Sequence, residues 1–153
     1  SEGKITAMIE YAHTPDALKN VLETIKTIRS GNEQLITVVG CGGDRDVEKR
    51  PKMGAIAAQL STKVIFTSDN PRSENPDTII QHIEAGVPPQ HYKKTIAISD
   101  RKQAIKTACQ MANEHDIILV AGKGHETYQE IQGVRSEFDD RVTISELLIA
   151  LNK

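Results

Sequence analysis

The chain has 153 residues, 38% of them hydrophobic and 26% charged, a mixture suited to one domain with its own core. A formal net charge of −2 supplies no basic field for nucleic acid, and 3% aromatic residues without a tryptophan supply no base-stacking platform. No apolar run approaches the roughly 18 residues of a membrane span, no signal peptide is visible, and Cys41 and Cys109 form neither a CxxC nor a disulfide framework, which points to a reducing cytoplasm. Ser1-Glu2-Gly3 leads straight into a strand-like run, so a piece of a longer chain with a tag scar at its front is expected.

Residues 4–9 read as a strand. Thr14-Pro15 starts a helix, with Thr as N-cap and Pro at the first helical position, and Leu18, Val21, Leu22, Ile25 and Ile28 form its apolar stripe until Gly31-Asn32. Residues 35–39 are apolar and β-branched, a buried strand. A glycine-rich charged loop, 40–50, precedes a helix opened by Pro51 and faced by Met53, Ile56, Ala57 and Leu60. Residues 64–67 form another buried strand, 68–75 a polar loop, and Ile79, Ile80 and Ile83 a short helix broken by Gly86 and Pro88-Pro89. A strand at 95–98 leads to a helix capped by Asp100, with Ala104, Ile105, Ala108 and Met111 inside. Residues 117–121 are the most apolar strand. Residues 128–131 and 134–138, joined by Gln132-Gly133, suggest a hairpin, and Asp139 or Asp140 caps a last helix carrying Ile144, Leu147, Leu148 and Leu151.

This alternation predicts a single α/β domain over 1–153: a Rossmann-like, mostly parallel sheet with helices on both faces and a late antiparallel hairpin or edge strand. Ligands of such sheets bind beyond the carboxyl ends of the strands, which selects the loops 40–50, 68–75 and 122–126.

The first loop, Gly40-Cys41-Gly42-Gly43-Asp44-Arg45-Asp46, allows close backbone approach and offers Arg45 to a carboxylate or phosphate. It lacks the GxGxxG spacing, and a flexible turn with surface charges would account for it equally. In the second, Asp69-Asn70-Pro71-Arg72, Pro71 stiffens the loop, Asp69 and Asn70 bond backbone or a ligand amine, and Arg72 presents a planar cation; an ordinary Asx turn is the alternative. The third, Gly122-Lys123-Gly124-His125-Glu126-Thr127, has neither the GxxxxGK[ST] order nor HExxH, because Gln129 stands where the second His would be. No metal ligand set and no Ser–His–Asp or Cys–His arrangement is apparent. Arg45, Arg72 and Glu126 at one rim suit a small zwitterion, and the residues alone lead as far as an α/β domain that binds a small charged molecule.

In this order the loops resemble the Mur ligase family, and within it the MurE type. The likeness is carried by Tyr11-Ala12-His13-Thr14-Pro15-Asp16-Ala17-Leu18, by Gly40-Cys41-Gly42-Gly43-Asp44-Arg45-Asp46 with Lys49-Arg50-Pro51, by Asp69-Asn70-Pro71-Arg72, by Gly122-Lys123-Gly124-His125-Glu126 with Tyr128-Gln129, and by Phe138-Asp139-Asp140-Arg141. The resemblance implies the C-terminal, amino-acid-binding domain of a three-domain cytoplasmic ligase, inactive alone, whose UDP-binding and central ATP-binding domains lie outside this chain. It implies a reaction in which ATP, with Mg2+, activates the carboxylate of UDP-muramoyl-L-Ala-D-Glu and the amine of meso-diaminopimelate attacks it. Both cofactors would be held mainly by the central domain, and no catalytic residue falls here. The resemblance makes Asp69, Asn70, Pro71 and Arg72 the signature that binds meso-diaminopimelate, with Arg72, backed by Asn70, on its distal carboxylate; it puts Glu126 and the Gly122 carbonyl on the distal ammonium, and Arg45 on a carboxylate of the same ligand. Glu10 (where the family usually has Asp), His13 and Lys123 would stand near the nucleotide. A monomer acting on small molecules, without nucleic acid or membrane partners, is expected. The alternatives are a stand-alone module for an amino acid or small anion, and a sibling ligase that adds lysine.

Overall fold

A computed structural model describes residues 4–153, so the reading of the first three residues lies outside the described part. Local chemistry sets most element boundaries. The first strand, β1 (Thr6–Glu10), is followed by α1 (Pro15–Ile28), whose Thr14 hydroxyl accepts from the Ala17 N–H at 3.2 Å. Then come β2 (Leu35–Val39), α2 (Lys49–Leu60), β3 (Lys63–Phe66) and α3 (Pro76–Glu84), the last capped by Asn75 on the Asp77 N–H at 2.8 Å. Helix α2 begins two residues before Pro51, which a first turn tolerates because its N–H groups have no intrahelical partner. After Pro88 the chain makes a 3-10 turn, Pro89–Lys94, then β4 (Thr95–Ala97), α4 (Arg101–Met111) and β5 (Ile117–Ala121). The hairpin β6 (Tyr128–Ile131) and β7 (Val134–Glu137) leads to α5 (Asp140–Ala150).

Five strands form one parallel sheet in the order β1-β5-β2-β3-β4. The chain steps outward from β1 to β4 through α1, α2 and α3, then returns through α4 to insert β5 between β1 and β2. Right-handed crossovers put helices of opposite travel on opposite faces. One core layer accordingly joins Leu18, Leu22 and Ile25 of α1, Met53 and Ala57 of α2 and the isoleucines of α3 to Leu35, Val39, Phe66 and Leu119. The other joins Ala104, Ile105, Ala108 and Cys109 of α4 and Ile144 of α5 to Ile36, Val38, Ile65, Ile118 and Val120. Cys109 faces this core where Met111 was expected, and Met111 packs at its margin.

Strands β2 and β5 are buried along their whole length, as central strands covered on both faces must be. The hairpin is a separate two-stranded antiparallel sheet, not an extension of the large one. Its free edge meets the loop after β3 through a bridge between Ile131 and Arg72. Among the described residues no helix is long and apolar enough to cross a membrane.

Candidate functional site

The loops after β1, β2, β3 and β5 converge at the carboxyl end of the sheet around a cavity of about 320 Å³. Arg45, Asp69, Asn70, Arg72, Gly122, Glu126 and His13 all line it, with Tyr11, Lys49 and Tyr128. A depression of about 490 Å³ lies at the opposite end, against Ala112, Leu151 and the start of β1, away from the strand ends where such sheets bind ligands.

Two glycines explain how the loops come so close. The Gly43 N–H donates to the Asn70 carbonyl at 2.7 Å, and a Cβ on Gly43 would stand 1.8 Å from the Pro71 oxygen. Gly122 has φ +122°, and its Cβ would meet Asp69 Oδ2 at 2.6 Å.

Arg72 also sits in the left-handed region, φ 52°. Its backbone is held there by the hairpin: the Arg72 N–H donates to the Glu130 carbonyl at 2.9 Å, and the Gln132 N–H donates to the Arg72 carbonyl at 2.6 Å. One guanidinium nitrogen, Nη1, donates to the carbonyls of Gly43 at 3.0 Å and Asn70 at 3.4 Å. The other N–H groups of Arg72 have no partner among the described residues, which leaves a planar donor edge for a ligand carboxylate. Pro71, buried in the loop, presents its carbonyl to Gly43 rather than a side chain to the cavity.

The opposite charge comes from Asp69 and Glu126. Asp69 is 6% exposed, and its main-chain carbonyl is held by Gln129 Nε2 at 2.9 Å. Its carboxylate takes no hydrogen bond from the described residues. Burial, then the Asp69 charge, raises the Glu126 carboxyl above its ordinary value, against opposing effects of Lys123, Arg72 and Arg101. The buried Lys123 ammonium stands 4.0 Å from Glu126 Oε1 and gives its hydrogen bonds to Asn70 and the Tyr128 carbonyl instead, so both carboxylates keep acceptors open to a cation. Arg45 is exposed at the mouth of the cavity, its Nη1 on the Asp44 carbonyl at 3.0 Å.

Of the three residues expected near a nucleotide, only His13 lines the cavity among the described residues. Glu10 ends β1 beside Ala121, and its carbonyl accepts from the Gly122 N–H at 3.0 Å. His13 lies against Tyr11, ring centroids 4.5 Å apart, and its carbonyl accepts from Lys49 Nζ at 2.9 Å. Lys123 is instead fully buried: its ammonium donates to Asn70 Oδ1 at 3.1 Å and to the Tyr128 carbonyl, and burial lowers its pKa. Burial of a lysine is favourable only when its donors are used, and here they are used inward.

Two buried arginines that sequence reasoning left out hold the loops in place. Arg50 donates to Glu74 through Nη1 at 3.1 Å and Nη2 at 2.7 Å, to the Gly42 carbonyl at 3.1 Å, and faces His82 Nδ1 at 3.0 Å. That clamp joins the loop after β2 to the loop after β3, and it lowers the Glu74 pKa. Arg101 forks onto Asp140 at 2.8 and 2.6 Å and donates to the Ser68 carbonyl at 2.9 Å, fixing the start of the Asp69–Arg72 loop from the other face. Cys41 is buried and its thiol is pushed up to about 12 by burial, so it is no nucleophile. Among the described residues no group of three or more His, Cys, Asp or Glu could hold a metal ion.

Residues 1–124 match the family described as "Mur ligase, glutamate ligase domain". The chain is 58% identical over its full length to a UDP-N-acetylmuramoyl-L-alanyl-D-glutamate–2,6-diaminopimelate ligase of Cytophaga hutchinsonii, and 54% identical over 94% of its length to the enzyme of that name from Bacteroides thetaiotaomicron. It covers 31% and 30% of those proteins, so it spans about a third of the length of the curated relatives it matches. A solved structure of a ligase of the same name superposes on the whole chain, and on 31% of its own, with a TM-score of 0.91 at 44% identity.

Proposed function

The chain belongs to the Mur ligase family, as its C-terminal domain, and on that premise we propose that it binds and orients the meso-diaminopimelate that a larger ligase joins to UDP-N-acetylmuramoyl-L-alanyl-D-glutamate. The observation that carries this reading is the Arg72 guanidinium, tied by one nitrogen to the loop backbone and open on its other edge to a cavity that also holds Asp69 and Glu126. Diaminopimelate carries an ammonium and a carboxylate at each end. At its distal end the carboxylate pairs with Arg72 and the Asn70 amide, and the ammonium is received by Glu126, Asp69 and the Gly122 carbonyl. Arg45 closes on the second carboxylate.

The remaining amine is thereby delivered to the activated carboxylate of the acceptor. The work of the domain is positioning, which converts an encounter of two molecules into a reaction of one complex. Lysine lacks the distal carboxylate. It would leave the Arg72 cation desolvated and unpaired, which is the stronger form of discrimination. The names of the relatives favour this reading over a lysine-adding ligase or a stand-alone module.

Nucleotide and Mg2+ chemistry is assigned to the parts of the ligase beyond this domain, with His13 at the rim and Glu10 at the end of β1 nearest to them. The enzyme is taken as cytoplasmic and monomeric; the two buried free thiols suit the reducing compartment.

The test is ATP-dependent joining of diaminopimelate and of lysine by the ligase that contains this domain. The native enzyme is expected to use diaminopimelate and to discriminate strongly against lysine. Arg72→Ala should lose roughly a hundredfold in kcat/KM for diaminopimelate and little for lysine. An Arg72→Ala enzyme that keeps its preference would contradict the role of Arg72.

A further inference from the structure

The side chain of Asn70 is 2% exposed, yet its residue lines the cavity. A carboxamide presents an acceptor on one side and two donors on the other, and which way it faces decides what it can bind. Asn70 Oδ1 accepts from two donors on different elements: Lys123 Nζ at 3.1 Å and the Glu130 N–H at 2.9 Å. Both lone pairs are occupied. Reversing the amide would set its NH2 group against an ammonium and an N–H, two donor–donor contacts in a buried place. Asn70 Nδ2 makes no hydrogen bond within the described residues and is not among the atoms sealed from solvent without a partner. It is the group left to face the cavity, beside the open edge of Arg72.

We propose that Lys123, together with the hairpin backbone at Glu130, is the positioning residue that fixes the direction of the Asn70 carboxamide and so makes the loop after β3 a receptor for a carboxylate. Lys123 touches no ligand in this scheme. Its fully buried ammonium is shared between Asn70 and the Tyr128 carbonyl, with Glu126 Oε1 at 4.0 Å, so it joins three walls of the cavity. The hairpin is then part of the specificity apparatus: Glu130 orients Asn70, Gln129 holds Asp69, and the Glu130 carbonyl holds the Arg72 backbone. The inference rests on the reading that the cavity takes a diaminodicarboxylate.

The experiment uses the intact ligase and measures steady-state kinetics with diaminopimelate and with lysine. Lys123→Met keeps the aliphatic stem and removes the donor. It should raise KM for diaminopimelate about tenfold to hundredfold and KM for lysine distinctly less, and so narrow the preference. A merely structural lysine would weaken both substrates alike. Asn70→Asp is the second variant. It keeps acceptors for Lys123 and Glu130, so the fold and melting temperature persist, but it turns an acceptor toward the ligand carboxylate; the preference should narrow at least as far. A folded Lys123→Met enzyme with the full native preference overturns the proposal, and so does an unchanged preference in Asn70→Asp, which decides alone if Lys123→Met does not fold. A native enzyme that shows no preference for diaminopimelate would defeat the functional reading itself, a result visible before any variant is compared.

Discussion

Glu126 links site chemistry to pH. Its carboxyl is raised above the ordinary 4.5 by burial and by Asp69. A carboxylic acid with a raised pKa in the folded state contributes stability that is present below the ordinary value and is lost as pH rises from that value through the raised one. Near neutral pH the ionised group is therefore a liability to the free domain, and Glu126→Gln should melt no lower than the native protein at pH 7. A ligand ammonium reverses the balance, because it favours the ionised form. Affinity for a diaminocarboxylate is expected to fall as pH drops through the raised value, with proton release on binding in that window. Calorimetry across pH, in two buffers of different ionisation enthalpy, checks both, and Glu126→Gln should bind more weakly without that pH dependence. A native affinity that stays flat down to the ordinary carboxylate range would show that Glu126 does not receive the ammonium.

Between elements, the loops depend on long-range ion pairs rather than on their own turn chemistry. Asp139 caps α5 through the N–H groups of Arg141 and Val142, which frees Asp140 to reach Arg101 on α4. Both partners of that pair are fully buried, and Arg101 passes the constraint to the Ser68 carbonyl at the start of the loop after β3. Removing one partner leaves the other charge uncompensated, so Asp140→Leu should lower stability by about 3–5 kcal/mol, a fall in Tm of roughly 10–15 °C for a chain of this size. Replacing both, Arg101→Met with Asp140→Leu, should recover most of the melting temperature but not the ligand affinity, because Ser68 loses its donor. Melting curves of the single and double variants separate the two effects. A double variant as unstable as the single one would place the loss in packing instead of in the unpaired charge.

At the scale of the molecule, the strands and their order of appearance were legible because short-range chemistry writes them. Central strands are runs rich in β-branched residues, and Thr14, Asp100 and the pair Asp139-Asp140 announce helix starts; the side chains that cap are Thr14, Asp100 and Asp139. The loops at the strand ends were legible through the same rule that locates sites in parallel sheets. What pairs across the fold was not. Arg50 and Glu74 lie 24 residues apart, Arg101 and Asp140 39, and Lys123 and Asn70 53, and no periodicity marks such partners. The resemblance alone puts Lys123 near the nucleotide; its burial follows from acceptors supplied by the loop after β3 and by the hairpin. The left-handed Arg72 and the docking of the hairpin on it are likewise products of packing. Together these loops are proposed to form one pocket for a diaminodicarboxylate. An amide NMR titration of the 153-residue domain with meso-diaminopimelate, and with L-lysine in parallel, tests it most directly. Shifts are expected at Arg45, at residues 69–72, at 122–126 and at Glu130, with diaminopimelate and largely not with lysine. Equal shifts with both ligands, or shifts located away from these loops, would contradict it.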